Sequence, residues 1–254
     1  MINQITITGS RGFIGTAIRK IIDQPYNEID HNLGTSHKDL RSQKGTLIHL
    51  SASVFEDESY FKPQTYIENN VVDLANILKN NKFSKVIFAS STSVYDKDGN
   101  INPKSVYGVT KLAGEQLIKI YCRKYWILRI TNPFGPNDKK SVFAKLADCK
   151  QNKKTFVIYD NQEARRDFFH VDHVAAIVKD ILDEKINPGI YNVGSGKATN
   201  VRRLLWDLCK EHNIRFKLAG EPRGMSDGFI PNNDENLLTR EKRTISEEWT
   251  QYLS

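Results

Sequence analysis

An α/β fold built on a doubly wound parallel sheet, with a small substrate-binding lobe toward the C-terminus, is what this sequence predicts. Three observations lead there. Short apolar runs alternate with amphipathic stretches, glycines punctuate the first strand-to-helix junction, and the order loosens from about Pro136 onward. Strands alternating with helices imply a parallel sheet covered on both faces.

The first element, residues 2–8, sets Ile5 and Ile7 between β-branched threonines and runs through a glycine turn into the amphipathic stretch 13–22. That is strand, turn and helix. A second strand ends near Ile29, and apolar runs recur at 47–50, 86–89, 126–130 and 190–193, with helical patterns over 66–80 and 111–124. The last twenty or so residues are polar and charged, as a surface helix or tail would be. The main domain is expected over 1–135 with 166–194, and the discontinuous lobe over 136–165 with 195–254.

A chain of 254 residues supports one large core with an appended lobe. Hydrophobic residues make up 39%, and no apolar run reaches the ~18 residues of a membrane span. The start lacks the basic and long apolar regions of a signal peptide, so a cytoplasmic setting and no membrane partner are expected. Cys122, Cys149 and Cys209 are odd in number and widely spaced, which argues against a disulfide framework and a thiolate metal site. The net charge of +7 favours an anionic partner, but no cluster of Lys and Arg interleaved with aromatics points to nucleic acid.

Gly9, Gly12 and Gly15, with Ser10, Arg11, Phe13 and Ile14 between them, open the first helix directly after the first strand. A pyrophosphate fits such a turn, because a tight bend, close backbone approach and close helix-to-sheet packing each exclude a Cβ. The spacing is G-x-x-G-x-x-G rather than G-x-G-x-x-G, which a plain strand-to-helix turn also satisfies. Asp30 stands where a carboxylate would bind the ribose 2′-hydroxyl and repel a 2′-phosphate, favouring NAD over NADP.

Ser90-Ser-Thr-Ser-Val-Tyr95 ends a strand, and Tyr107-Gly-Val-Thr-Lys111 starts a helix. Tyr107 and Lys111 share a face one turn apart, so an ammonium there is expected to stabilise a phenolate and depress the tyrosine pKa. Ser91 supplies a hydroxyl able to hold a substrate oxygen. The same Tyr-x-x-x-Lys spacing also arises by chance in ordinary helices. His170, Asp172 and His173 read as structural rather than as metal ligands, with Asp172 as a helix N-cap; no metal is expected. His49 reads as a packed core residue, and Tyr95 and Phe134 as packing groups able to line a sugar pocket.

Taken together and in order, several segments resemble the NAD-dependent epimerase/dehydratase family, the extended short-chain dehydrogenases of Rossmann type. They are the glycine turn, Leu50-Ser-Ala52, Asn69-Asn-Val71, the serine run, Tyr107 with Lys111, Arg129-Ile-Thr-Asn-Pro-Phe-Gly-Pro136, Arg166-Asp-Phe-Phe-His-Val-Asp172 and Tyr191-Asn-Val-Gly194. The resemblance implies bound NAD, contacted by residues 9–15, Asp30, Asp39, Leu40, Leu50, Ser51, Ala52, Asn70, Tyr107 and Lys111. It implies Ser91, Tyr107 and Lys111 as the catalytic set, Tyr107 being the acid/base. It places Ser91, Thr92, Asn132, Arg166 and Arg223 around a nucleotide-diphosphate sugar. The helices over 66–80 and 111–124 resemble those that form a dimer contact in the family, so a homodimer is expected.

The sequence departs from two branches of that family. Where the dehydratases carry an Asp-Glu pair after the catalytic hydroxyl, this chain has Thr92 and Ser93, and the extra Cys and His of the fucose-synthase-like branch are not supplied by the serine run. Simple ketone/alcohol redox remains. It is closed in a 4-epimerase, which oxidises and re-reduces one sugar carbon, or open in a reductase of a nucleotide-linked keto sugar. Two rival readings stay open: a non-catalytic dinucleotide-sensing or RNA-binding Rossmann protein, and an NAD enzyme acting on a small ketone or steroid. Against the resembled family the stretches 40–47 and 96–106 are short, which implies reduced adenine and sugar rims.

Overall fold

The computed structural model describes residues 4–30, 43–139, 141–159, 164–220, 229–231, 236–239 and 243–253. Asp39, Leu40 and Arg223 lie outside the described residues. In chain order the first half contains β1 (Ile5–Thr8), α1 (Phe13–Arg19), β2 (Tyr26–Ile29), β3 (Lys44–His49), α2 (Glu56–Phe61), α3 (Pro63–Ile67), a π-helical turn (Glu68–Val72), α4 (Asp73–Asn80), β4 (Lys82–Ser91), a 3-10 turn (Thr92–Val94), α5 (Val106–Tyr121) and β5 (Tyr125–Ile130). The second half continues with β6 (Asn132–Phe134), α6 (Val142–Gln151), β7 (Phe156–Tyr159), β8 (Arg165–Arg166), β9 (Phe168–His170), α7 (Val171–Leu182), β10 (Gly189–Val193), β11 (Thr199–Asn200), α8 (Val201–Glu211), β12 (Phe216–Ala219), β13 (Leu237–Leu238) and α9 (Ile245–Leu253).

The central sheet runs β13-β10-β5-β4-β3-β1-β2, and every pairing in it is parallel. From β1 the chain crosses through α1 to β2 on one side, then returns past β1 to β3 on the other. This reversal between β1 and β3 is the switch point above which ligands bind in Rossmann sheets, and the glycine turn opens there.

Side chains alternate across the sheet with a period of two. On β4, Ile87 and Ala89 join the layer formed with Ile18 of α1 and Val174, Ile177 and Ile181 of α7. Val86 and Phe88 face the other way, against Leu74, Ile77 and Leu78 of α4 and Ile118 of α5. A third apolar cluster lies in the second half of the chain and joins Phe134, Phe143, Leu146, Phe156, Ile158, Phe168, Leu205, Leu208 and Trp249.

Three expectations are corrected. The stretch 66–80 is not one regular helix: a π-helical turn at Glu68–Val72 separates α3 from α4. The N-cap of α7 is His170, whose Nδ1 accepts from the Asp172 amide at 3.3 Å, while Asp172 sits in the first turn. Near the C-terminus α9 is not merely a surface helix, because it inserts Trp249 at 0% exposure into the third cluster. Among the described residues no helix is long and apolar enough to cross a membrane.

Candidate active site

The glycine turn is built by close approach. At Gly9 (φ +68°) a Cβ would lie 2.8 Å from the Ser51 amide nitrogen, and at Gly15 it would strike the Gly9 and Ser10 carbonyls. The segment Leu50–Ala52 therefore lies against the turn, tied to β1 by the Leu50 amide donating to the Thr8 carbonyl at 3.1 Å. Thr8 Oγ1 in turn meets His49 Nδ1 at 2.8 Å, and the His49 ring stacks on Phe88, a packed core role as the sequence suggests.

Asp30 follows β2, and its carboxylate accepts from the Arg11 amide at 2.9 Å. Phe13 and Ile14 anchor the start of α1 in the core, and Gly12 caps α1 without a side-chain bond. Ser10 is fully buried in the turn, and its hydroxyl finds no hydrogen-bond partner among the described residues. A cradle that side chains would fill, with an unpartnered hydroxyl and a carboxylate at the next strand end, fits a dinucleotide.

At the end of β4, the Ser91 hydroxyl stands beside Tyr107. Its Oγ donates to Ser93 Oγ at 3.0 Å. Tyr107 is held from several sides. Its amide donates to Ser59 Oγ at 3.2 Å, its carbonyl accepts from Thr110 Oγ1 at 2.8 Å, and its ring meets the Tyr66 ring edge-on at 6.4 Å. Gly108 lets α5 approach the 3-10 turn, since a Cβ there would strike the Ser93 carbonyl. Lys111 is buried, with its ammonium 5.8 Å from the Tyr107 ring centroid, and donates to the Ala89 carbonyl at 2.8 Å.

Spacing alone predicts a depressed Tyr107 pKa, and the structure corrects this. Burial pushes the phenol well above its ordinary value, opposed by the neighbouring Ser91 hydroxyl and reinforced by Glu56 and Tyr66. Burial also pulls Lys111 down to about 7, opposed by Glu115. Desolvation is the largest cause for both groups, and the Lys111 ammonium is directed to the Ala89 carbonyl.

Asn70 sits in the π-helical turn, a feature often found at functional sites. Its Oδ1 accepts from the Ser53 amide at 2.8 Å, while Nδ2 donates to the Ser53 carbonyl and to Thr110 Oγ1, both at 3.0 Å. It thus fastens the segment after β3 to α5. Thr92 is half-buried beside β5, its Oγ1 donating to the Ile130 carbonyl at 3.5 Å. Asn132 stands two residues beyond Ile130, the register partner of Ser91, and its Nδ2 donates to the Asp167 carbonyl at 3.2 Å. Arg166, at the end of β8, is next in sequence to Asp167, so the Asn132 bond places it close to the end of β8.

Sequence reasoning missed a buried network beneath this site. Glu115, one turn after Lys111, takes Arg129 in a two-pronged ion pair, with Nε to Oε1 at 2.9 Å and Nη2 to Oε2 at 2.7 Å. An inward-facing Glu on the apolar side of a helix was the available signal. His170 and His173 are structural: His170 caps α7, and His173 Nε2 meets Glu248 of α9 at 2.9 Å.

Comparison with known proteins identifies the family and the fold. The model of the NAD dependent epimerase/dehydratase family matches residues 38–194. The chain is 31% identical to a provisionally named UDP-glucose 4-epimerase of Methanocaldococcus jannaschii, over 84% of this chain and 83% of that protein. It is 26% identical to the dTDP-4-dehydro-6-deoxyglucose reductase of Escherichia coli, over 96% of this chain and 91% of that one. In fold it is similar to the UDP-N-acetylglucosamine 4-epimerase of Methanobrevibacter ruminantium solved with UDP-N-acetylmuramic acid. That match has a TM-score of 0.82 at 24% identity and covers 99% and 97% of the two chains.

Proposed function

The chain belongs to the NAD-dependent epimerase/dehydratase family, and from that premise we propose that it is a nucleotide-sugar epimerase of the 4-epimerase kind. The observation that carries the reading is the proximity of Ser91, at the end of β4, and of the Lys111 ammonium to Tyr107, beside the segment that packs on the glycine turn.

In this reading residues 9–15, Asp30, Leu50–Ala52 and Lys111 hold NAD, with Asn70 fixing the wall behind it. When bound, NAD would supply reversible hydride transfer with a sugar carbon, and in its oxidised form a positive charge that would favour the Tyr107 phenolate. Tyr107 takes the proton of the sugar hydroxyl as the C–H bond breaks and gives it back when the resulting ketone is reduced on its other face. Ser91 holds the reacting oxygen by hydrogen bonding. Asn132 and Arg166 face the sugar diphosphate, for which a guanidinium fork is geometrically suited. The third apolar cluster forms the core of the substrate lobe.

Thr92 and Ser93 carry no carboxylate, so the acid/base pair that dehydration needs is not supplied after Ser91. The similarity to the Escherichia coli reductase supports one second reading, net reduction of a nucleotide-linked keto sugar. A homodimer belongs to the same proposal. Ile67, Val72, Val109 and Ile120, exposed on the α3 to α5 surface, give a second copy an apolar face, which light scattering after size exclusion tests.

The function is tested by incubating the protein with UDP-, GDP-, CDP- and dTDP-sugars, with and without NAD, following products by NMR and NADH by absorbance. Epimer without net NADH supports the epimerase. Net NADH change supports the reductase, and NAD binding with silence across the panel overturns both.

A further inference from the structure

Below the reacting groups, one polar chain ties together four elements. Glu115 on α5 is fully buried, and besides Arg129 its Oε1 accepts from Ser90 Oγ at 2.7 Å. Ser90 is the neighbour of Ser91 on β4 and stands opposite Arg129 of β5 in the sheet register. Arg129 Nη1 donates to the Tyr95 hydroxyl at 2.7 Å, and that hydroxyl donates to Asn192 Oδ1 at 3.2 Å. Asn192 is the register partner of Arg129 on β10. The Tyr95 ring lies over the Arg129 guanidinium at 4.9 Å and packs against Phe229 at 4.4 Å between ring centres. Beside Glu115, Gly114 brings α5 onto the sheet, since a Cβ there would lie 2.8 Å from the Phe88 ring.

A buried ion pair is a poor source of net stability. Desolvating both charges offsets their attraction, and apolar residues of similar volume are often at least as stabilising. What the pair does supply is direction, because a two-pronged guanidinium-carboxylate contact fixes angle as well as distance. We propose that Glu115 and Arg129, with Tyr95 at the outer end, are positioning residues that set where Ser91 and Lys111 stand relative to Tyr107. The assignment rests on the reading of Tyr107 as the acid/base. Through the Tyr95–Phe229 contact the same brace reaches the segment that follows the expected substrate residue Arg223.

The test pairs Glu115→Leu/Arg129→Met with Glu115→Gln and Tyr95→Phe, the last two keeping shape should the double variant fail to fold. Urea stability, NAD affinity by calorimetry, kcat and KM are measured on each. The double variant is expected to match the wild type in stability and to bind NAD within about threefold, with kcat down about tenfold or more and KM unchanged. Glu115→Gln and Tyr95→Phe follow in the same direction with smaller losses. A kcat within twofold of wild type, or a loss of NAD affinity in step with kcat, overturns the brace.

Amide hydrogen exchange reads the same variants without turnover. Exchange at residues 91–95 and in the first turn of α5 should rise about tenfold or more, while β1 and β3 stay as protected as before. Unchanged exchange there overturns the brace. If the wild type turns over no nucleotide sugar, the functional reading falls and the exchange result alone decides the brace.

Discussion

The Asp30 carboxylate accepts a hydrogen bond from the backbone amide of Arg11 at 2.9 Å, which ties the end of β2 to the glycine turn. A carboxylate fixed there binds ribose hydroxyls and repels a 2′-phosphate. Asp30→Ala should lower the ratio of NAD to NADP affinity by about tenfold or more, read by calorimetry with each dinucleotide, and should cost about 1 kcal/mol of stability from the lost bond. An unchanged ratio would remove Asp30 from the cofactor site.

Tyr107→Phe keeps the ring against Tyr66 and removes the hydroxyl proposed as the proton carrier. Turnover should fall by about 10²–10⁴ while NAD binding changes by no more than a few-fold. Product NMR and calorimetry on the same preparation separate the two effects.

Lys111 makes stability depend on pH in a particular sense. Its pKa falls from 10.5 to about 7 on folding, so between those values the unfolded chain holds the extra proton and stability rises with pH. The burial penalty is absent above the unfolded value and complete below about pH 7, on the order of 5 kcal/mol across the window. In urea titrations at pH 7 and pH 10, Lys111→Met should flatten that rise. An equal rise in both proteins would show that Lys111 keeps an ordinary pKa.

His173 and Glu248 join α7 to α9 by a buried contact at 2.9 Å. Removing one partner strands the other, so His173→Ala should cost about 3 kcal/mol in urea denaturation, and the double change to His173→Leu with Glu248→Leu should restore much of it. Additive losses would show that the two do not act as a pair.

The sheet was legible because strands buried on both faces must be apolar in runs, as in Val86, Ile87, Phe88 and Ala89, which feed opposite layers. Helical spacing puts Tyr107 and Lys111 on one face, but chance also gives such pairs, and it was the ordered set of motifs resembling the family that singled them out together with Ser91. Less local facts were not legible. The π-helical turn around Asn70 and the cap at His170 depend on tertiary neighbours, as does the burial of Trp249. Glu115 and Arg129 are fourteen positions apart and meet only across a helix and a strand. The upward direction of the Tyr107 pKa followed from the burial of the phenol, which residue spacing does not specify.

The central claim is that one sugar carbon is oxidised and re-reduced within a single cycle. It is tested most directly with a nucleotide sugar carrying deuterium at C4, chosen from those that the protein turns over, with NMR of the product and absorbance of the cofactor. The account predicts an inverted C4 that retains the deuterium, with no net NADH. Loss of the label with stoichiometric NADH, or a product of unchanged configuration, would contradict it.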